Sequence, residues 1–160
     1  MKNWIIFISV FILSLSLVIS VLVIWKADAP FNKIEKQAEE LAISSGSLAE
    51  VSESYVYNGN KPYVTVFGVD ENGKEKAVFV PTSLEENLIE EVFMQNGITE
   101  EQALSVLNNE EEVKEILHTK LGFEDVGPVW EITYKNGSEK LNYVYILFED
   151  GQWWKRILNL

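Results

Sequence analysis

The stretch from Trp4 to Trp25 constrains everything else in this 160-residue chain. It reads WIIFISVFILSLSLVISVLVIW, with no charge and no proline or glycine. Its only polar residues are Ser9, Ser14, Ser16 and Ser20, and a serine hydroxyl can bond back to its own helix. Helical residues rise about 1.5 Å each, so the run spans roughly 33 Å, enough to cross a hydrocarbon core about 30 Å thick. Trp4 and Trp25 stand at its ends, where interfacial aromatic residues sit. The lipid bilayer is therefore the expected partner of residues 4–25, and the chain beyond Lys26 reads as an anchored domain.

Two other readings compete. Ala27-Asp28-Ala29 matches the small-x-small pattern of a cleaved signal peptide. The apolar run is too long for that, Lys26 sits just ahead of the match, and Pro30 would follow the cut. A buried helix of a soluble protein would need a core larger than this chain can build. Orientation rests on the basic residues near the span. Lys2 precedes it; Lys26, Lys33 and Lys36 follow, offset by Asp28 and Glu35. The short head and the acidic domain after the span favour N-terminus in and domain outside.

The part after residue 27 carries 11 basic and all 25 acidic residues, a net charge of −14. A surface that acidic repels nucleic acid and anionic lipid. The absence of cysteine excludes disulfides, thiolate metal sites and thiol nucleophiles. Such a domain must rely on its apolar core, and the 12% aromatic content supports one.

The spacing of Ile34, Ala38, Leu41 and Ala42 predicts a helix over 31–44, ended by Ser44-Ser45-Gly46-Ser47. Strands come next at 51–57, 62–70 and 76–80, with turns at Asn58-Gly59-Asn60 and Asp70-Glu71-Asn72-Gly73. Ser83 with Glu86 reads as a capping box opening a linking helix, with Leu84, Leu88, Ile89, Val92 and Phe93 as its apolar stripe. Thr99 with Gln102 opens another. Residues 110–121 read as a further helix, with Val113, Ile116, Leu117 and Leu121 on one side and Gly122 as its cap. Three strands close the chain at 129–135, 141–149 and 152–158. In the first of these, Trp130, Ile132 and Tyr134 share a face.

The expected fold class is α+β: an N-terminal transmembrane helix, then two packed α-β-β-β units with antiparallel sheets. The expected boundaries are a cytoplasmic head at 1–3, the span at 4–25, a first unit at 26–82, a linking helix at 83–97 and a second unit at 98–160.

The run from Ile98 to Leu104 (ITEEQAL), Trp130-Glu131-Ile132-Thr133-Tyr134, Tyr143-Val144-Tyr145 and the Asp150-Gly151 turn resemble a PepSY-type module. The whole chain resembles the TseB/YpmB-type family, by architecture nearly throughout and by motif over about residues 98–157. The resemblance implies two PepSY-like, cystatin-like units behind one span and a role regulating cell-wall elongation. It implies a penicillin-binding transpeptidase, a membrane-anchored cell-wall synthase, as partner. It carries over no catalytic residue and no cofactor.

The residues themselves offer little chemistry. His118 is the only histidine and has neither a triad nor a second ligand beside it. The pairs Glu85-Glu86, Glu90-Glu91 and Glu100-Glu101 and the run Glu110-Glu111-Glu112 read as solvated helix charge. Asp70-x-Asn72-Gly73 lacks the remaining ligands of a calcium loop. Asn136-Gly137-Ser138 is a glycosylation sequon placed where a hairpin turn is expected. The better lead is aromatic. Trp153 and Trp154 are adjacent in a strand and must point to opposite faces. Arg156 comes two residues later, and Tyr143 and Tyr145 belong to the preceding strand. Trp, Tyr and Arg are common interface anchors, so these five are the candidate partner-binding residues. Burial of both tryptophans is the structural alternative. The expected function is non-catalytic binding and regulation, with inhibition of an extracytoplasmic protease as the second reading and carboxylate-based hydrolysis as the third.

Overall fold

A computed structural model describes the backbone of residues 2–160 and the side chains of residues 4–22 and 33–160. The Trp25 side chain therefore lies outside the described residues. The first helix, α1, runs Lys2–Ser44. Over Trp4–Leu22 it is apolar on every side and none of it is buried by protein. Trp4 itself is exposed at one end of that stretch. Ser14 and Ser20 donate to the carbonyls of Phe11 and Ser16, both at 2.9 Å, so these hydroxyls are satisfied within the helix. This is one helix long and apolar enough to cross a membrane.

The rest, Glu35–Leu160, is a compact unit of its own. Its order is β1 (Glu50–Asn58), β2 (Pro62–Val69), β3 (Glu75–Pro81), β4 (Glu90–Phe93), α2 (Glu100–Glu110), β5 (Val113–Glu124), β6 (Gly127–Asn136), β7 (Leu141–Leu147) and β8 (Trp153–Ile157). Strands β1 to β4 make one antiparallel sheet in sequence order, and β5 to β8 make another. The fold is α+β.

Two of the hairpin turns form for the reasons their sequences give. Asp70 Oδ1 accepts from the backbone N–H of Asn72 and Lys74, and Gly73 takes φ +74°. Asn136 Oδ1 accepts likewise from Ser138 and Lys140. The sequon there is the turn between β6 and β7.

Residues 83–97 depart from the expected linking helix. Leu84 sits at φ +60°, Glu86–Leu88 is a single 3-10 turn, and Glu90–Phe93 pairs with β3 as a fourth strand. Pairing covers the open edge of β3 and places Val92 opposite Ala77 in the core. Lys76 of β3 bonds Glu91 at 2.8 Å and lies 4.9 Å over the Phe93 ring. These gains act only once β3 exists, and they override a local capping signal.

Residues 113–121 are likewise strand rather than helix. Strand β5 carries two bulges, with Lys114 and Leu117 as the extra residues. Each bulge turns a strand's two-residue step into three. Val113, Ile116, Thr119, Leu121 and Phe123 thus reach one face at spacings of three, three, two and two. That is how an edge strand acquired a helical-looking stripe. Gly122 is a mid-strand residue opposite Val129, not a helix cap. A Cβ there would run into the Tyr57 ring, so glycine serves close approach between sheets.

Thr99 caps α2 as its sequence requires. Its hydroxyl accepts from Gln102 N, and the Gln102 side chain accepts from Thr99 N at 2.8 Å. Ala103 and Leu107 of α2 are fully buried against the second sheet. Ala38 and Ala42 of α1 are fully buried too, and Glu39 accepts from Ser54 of β1 at 2.6 Å. One core joins the sheets, built from Tyr63, Ala77 and Phe79 on one side and Leu121, Trp130 and Ile132 on the other.

Candidate functional site

The register of the second sheet divides its side chains cleanly. Trp130, Ile132 and Tyr134 of β6 lie beside Ile146, Val144 and Asn142 of β7, under α2. Val129, Glu131 and Thr133 lie beside Leu147, Tyr145 and Tyr143 on the outer face. Trp153 and Trp154 part accordingly. Trp153 packs on the core with its ring 3.6 Å from the Arg156 guanidinium. Arg156 in turn bonds Glu110 at 2.7 Å and Glu111 at 3.1 Å, where α2 ends. Trp154 turns outward and meets Tyr145 edge-on, centroids 5.8 Å apart.

The five candidates therefore do not form one surface. Tyr143, Tyr145 and Trp154 share the outer face, while Trp153 and Arg156 are engaged with α2 and the core. Lys155 joins the outer group, its ammonium 5.3 Å from the Tyr145 ring and 5.8 Å from Trp154. Sequence reading missed Lys155 because the bulge between β7 and β8 brings it across from Tyr145.

A polar cluster borders this face. His118 is on β5, its Nε2 2.9 Å from Thr133 Oγ1 and 3.6 Å from Glu131 Oε1, with its side chain 43% exposed. Tyr57 donates to the buried Glu124 at 2.9 Å. Burial, then the nearby Glu131 charge, pushes the phenols of Tyr57 and Tyr145 well above their ordinary value. Both hydroxyls stay protonated, and that of Tyr57 donates to Glu124. Among the described residues, no three His, Cys, Asp or Glu side chains come together as a metal site.

A second feature joins the two sheets. Three cavities of about 390, 610 and 170 Å³ adjoin between the first sheet and the start of α2. Phe67, Met94 and Trp130 recur in their walls, with Glu53, Glu75 and Glu100 at the openings. Trp130 is fixed by its indole N–H, which donates to the Ile98 carbonyl at 3.0 Å. The Tyr55 ring lies 5.8 Å from Phe67, and its hydroxyl receives the Leu121 N–H at 2.7 Å. Burial raises the Tyr55 pKa, with Glu53 and Glu100 adding to it. No local motif marks this cleft, because its walls come from sequence positions some eighty residues apart.

The fold defines a class: an α+β unit of two four-stranded antiparallel sheets following an apolar helix. Residues 37–81 match the family model described as the cell wall elongation regulator TseB-like domain. The chain is 26% identical over 110 residues to the probable cell wall elongation regulator TseB of Bacillus subtilis (strain 168), covering 69% of this chain and 68% of that one. It superposes on the solved YpmB protein from Bacillus subtilis with a TM-score of 0.70 at 26% identity, covering 77% of this chain and 95% of that one. The chain is thus similar to the TseB/YpmB-type family over residues 37–81 in sequence and across most of its folded part in structure.

Proposed function

We propose that this protein is a membrane-anchored, non-catalytic regulator of cell-wall elongation. Residues 4–25 cross the cytoplasmic membrane with the N-terminus inside, and the folded unit lies outside. It binds a membrane-anchored cell-wall synthase, a penicillin-binding transpeptidase, through the outer face of the second sheet. The boundaries of two PepSY-like units, 26–82 and 98–160, belong to the same proposal, with 83–97 now a strand-bearing connection. Both partners would be held in one plane, so a modest interface suffices.

The observation that carries this reading is the outer face of β7. Tyr143, Leu147 and Trp154 are partly exposed there around the buried Tyr145, and α2 packs on the opposite face. The name of the Bacillus subtilis relative supplies the process. The chain has no cysteine, so a single introduced thiol is unique. Tyr143→Cys and Trp154→Cys, carrying a thiol-reactive cross-linker in intact membranes, should capture a cell-wall synthase. Glu86→Cys, away from this face, should not. Recovery of no synthase from either outer position, or equal recovery from position 86, overturns the proposal.

A further inference from the structure

The cleft beside α2 is not part of the outer aromatic face, and its charges are arranged differently from those around it. Several acidic side chains elsewhere hold cations: Glu91 has Lys76, Glu115 has Lys135, Glu139 has Lys114, and Glu110 and Glu111 share Arg156. Among the described residues, Glu50, Glu53, Glu75 and Glu100 form no ion pair. The two lysines at the rim do not serve them. Lys76 turns to Glu91 and the Phe93 ring, and Lys74 lies 5.6 Å over that same ring. Glu75 and Glu100 lie by the start of α2 and suit its positive end, while Glu50 and Glu53 belong to β1. Four acidic side chains thus ring an apolar floor, and the nearby Lys74, Lys76 and Lys120 form no ion pair with them. Their mutual repulsion is relieved when a cation enters.

The floor excludes a purely ionic guest. Phe67 and Met94 are half-exposed, and Trp130 lies below them. A second copy of the chain is a poor occupant, since each folded part carries a net −14. An anionic membrane surface is repelled for the same reason.

We propose that this cleft is a docking site for a basic, extended segment of a partner protein. An apolar side chain of that segment rests on Phe67, Met94 and Trp130, and flanking lysines or arginines meet Glu53, Glu75 and Glu100. The raised Tyr55 pKa, to which Glu53 and Glu100 contribute, reports the same negative field from inside the cleft. The inference does not rest on the cell-wall reading or on the outer aromatic face.

The test uses the full chain in detergent micelles and a fluorescent peptide, KRLFKR, with EELFEE as its charge-reversed control. The basic peptide should bind, and binding should weaken as salt rises. Glu53→Gln, Glu75→Gln and Glu100→Gln together should weaken it roughly tenfold, the loss expected when several complementary charges leave an apolar anchor site. All three side chains are exposed, so the variant keeps its fold. Glu85→Gln, Glu86→Gln and Glu149→Gln together remove the same charge away from the cleft and should change affinity less than about twofold if steering alone is affected. Amide and indole NMR shifts should localise at Phe67, Met94 and the Trp130 ring. No binding of KRLFKR, equal binding of EELFEE, an equal loss in the two triple variants, or shifts centred on Tyr143 and Trp154 would each overturn the proposal. Failure of the synthase cross-link leaves this result untouched, and the reverse also holds.

Discussion

The two sheets share strand number and order, yet they are covered differently. The first is buried on both faces. Val64, Val66, Val78 and Val80 lie fully buried on one side, and Thr65, Ala77 and Phe79 on the other. The second has α2 on one face and only side chains on the other. Sequence tracks the difference in part. Strands β2 and β3 read as nearly continuous apolar runs, as doubly covered strands should. Strand β6 alternates, with Glu131 and Thr133 between Trp130, Ile132 and Tyr134. Strand β7 breaks the parallel: it is apolar on both faces although one face has no helix. On that face Val129, Thr133 and Tyr145 are buried, while Tyr143, Leu147 and Trp154 are partly exposed.

Substitutions can break or sharpen this contrast. The largest effect belongs to the doubly covered sheet. Phe79→Ala should cost about 3–5 kcal/mol, since a fully buried aromatic leaves a cavity that packed neighbours cannot close. Urea unfolding of the full chain in micelles measures it; a loss near that of a surface site would sink the idea of a shared core.

Next in size is the junction between sheets. Gly122→Ala should cost about 1–3 kcal/mol by forcing the Tyr57 ring aside. Thermal unfolding reports it, and Ala-tolerance there would mean that the sheets adjust freely.

Three tyrosines give a pH signature. Tyr55, Tyr57 and Tyr145 have folded pKa values raised above the ordinary phenol value, chiefly by burial. A raised folded pKa means the folded state holds its proton more tightly. The stabilisation is therefore complete below the ordinary phenol pKa of about 10 and is lost as pH rises above it. Absorbance at the phenolate band should show part of the tyrosine content titrating only as the protein unfolds. Tyr57→Phe should weaken stability by about 1–2 kcal/mol at neutral pH, because the buried Glu124 loses its donor.

The smallest effect on folding falls on the outer face. Trp154→Ala should change stability by less than about 1.5 kcal/mol, since its half-exposed ring loses one edge contact with Tyr145. Capture of a synthase should nevertheless fall. A folding loss as large as that of Phe79→Ala would make the outer face core rather than interface.

Much of the fold was legible, and the misses share a cause. The capping box at Thr99 and the one at Ser83 look alike in sequence. Thr99 precedes Ala103 and Leu107, which bury against the second sheet, and its helix forms. Ser83 precedes Val92 and Phe93, which a neighbouring strand edge claims instead. The stripe at Val113, Ile116 and Leu121 misled because bulges change the strand period, and bulges are set by partners across the sheet. In the candidate site, the opposite facing of Trp153 and Trp154 followed from strand geometry alone. That Arg156 would be held by Glu110 and Glu111 did not.

By itself the sequence determined an apolar helix of membrane length, an acidic cysteine-free domain, and the hairpins at Asp70 and Asn136. Each of these depends on composition or on residues close in the chain. Tertiary structure alone decided the fourth strand of the first sheet, the bulged edge strand β5, the division of the aromatic residues between core and surface, and the acidic cleft. Those depend on which distant segments meet, and a local pattern carries no record of the partner that will complete it.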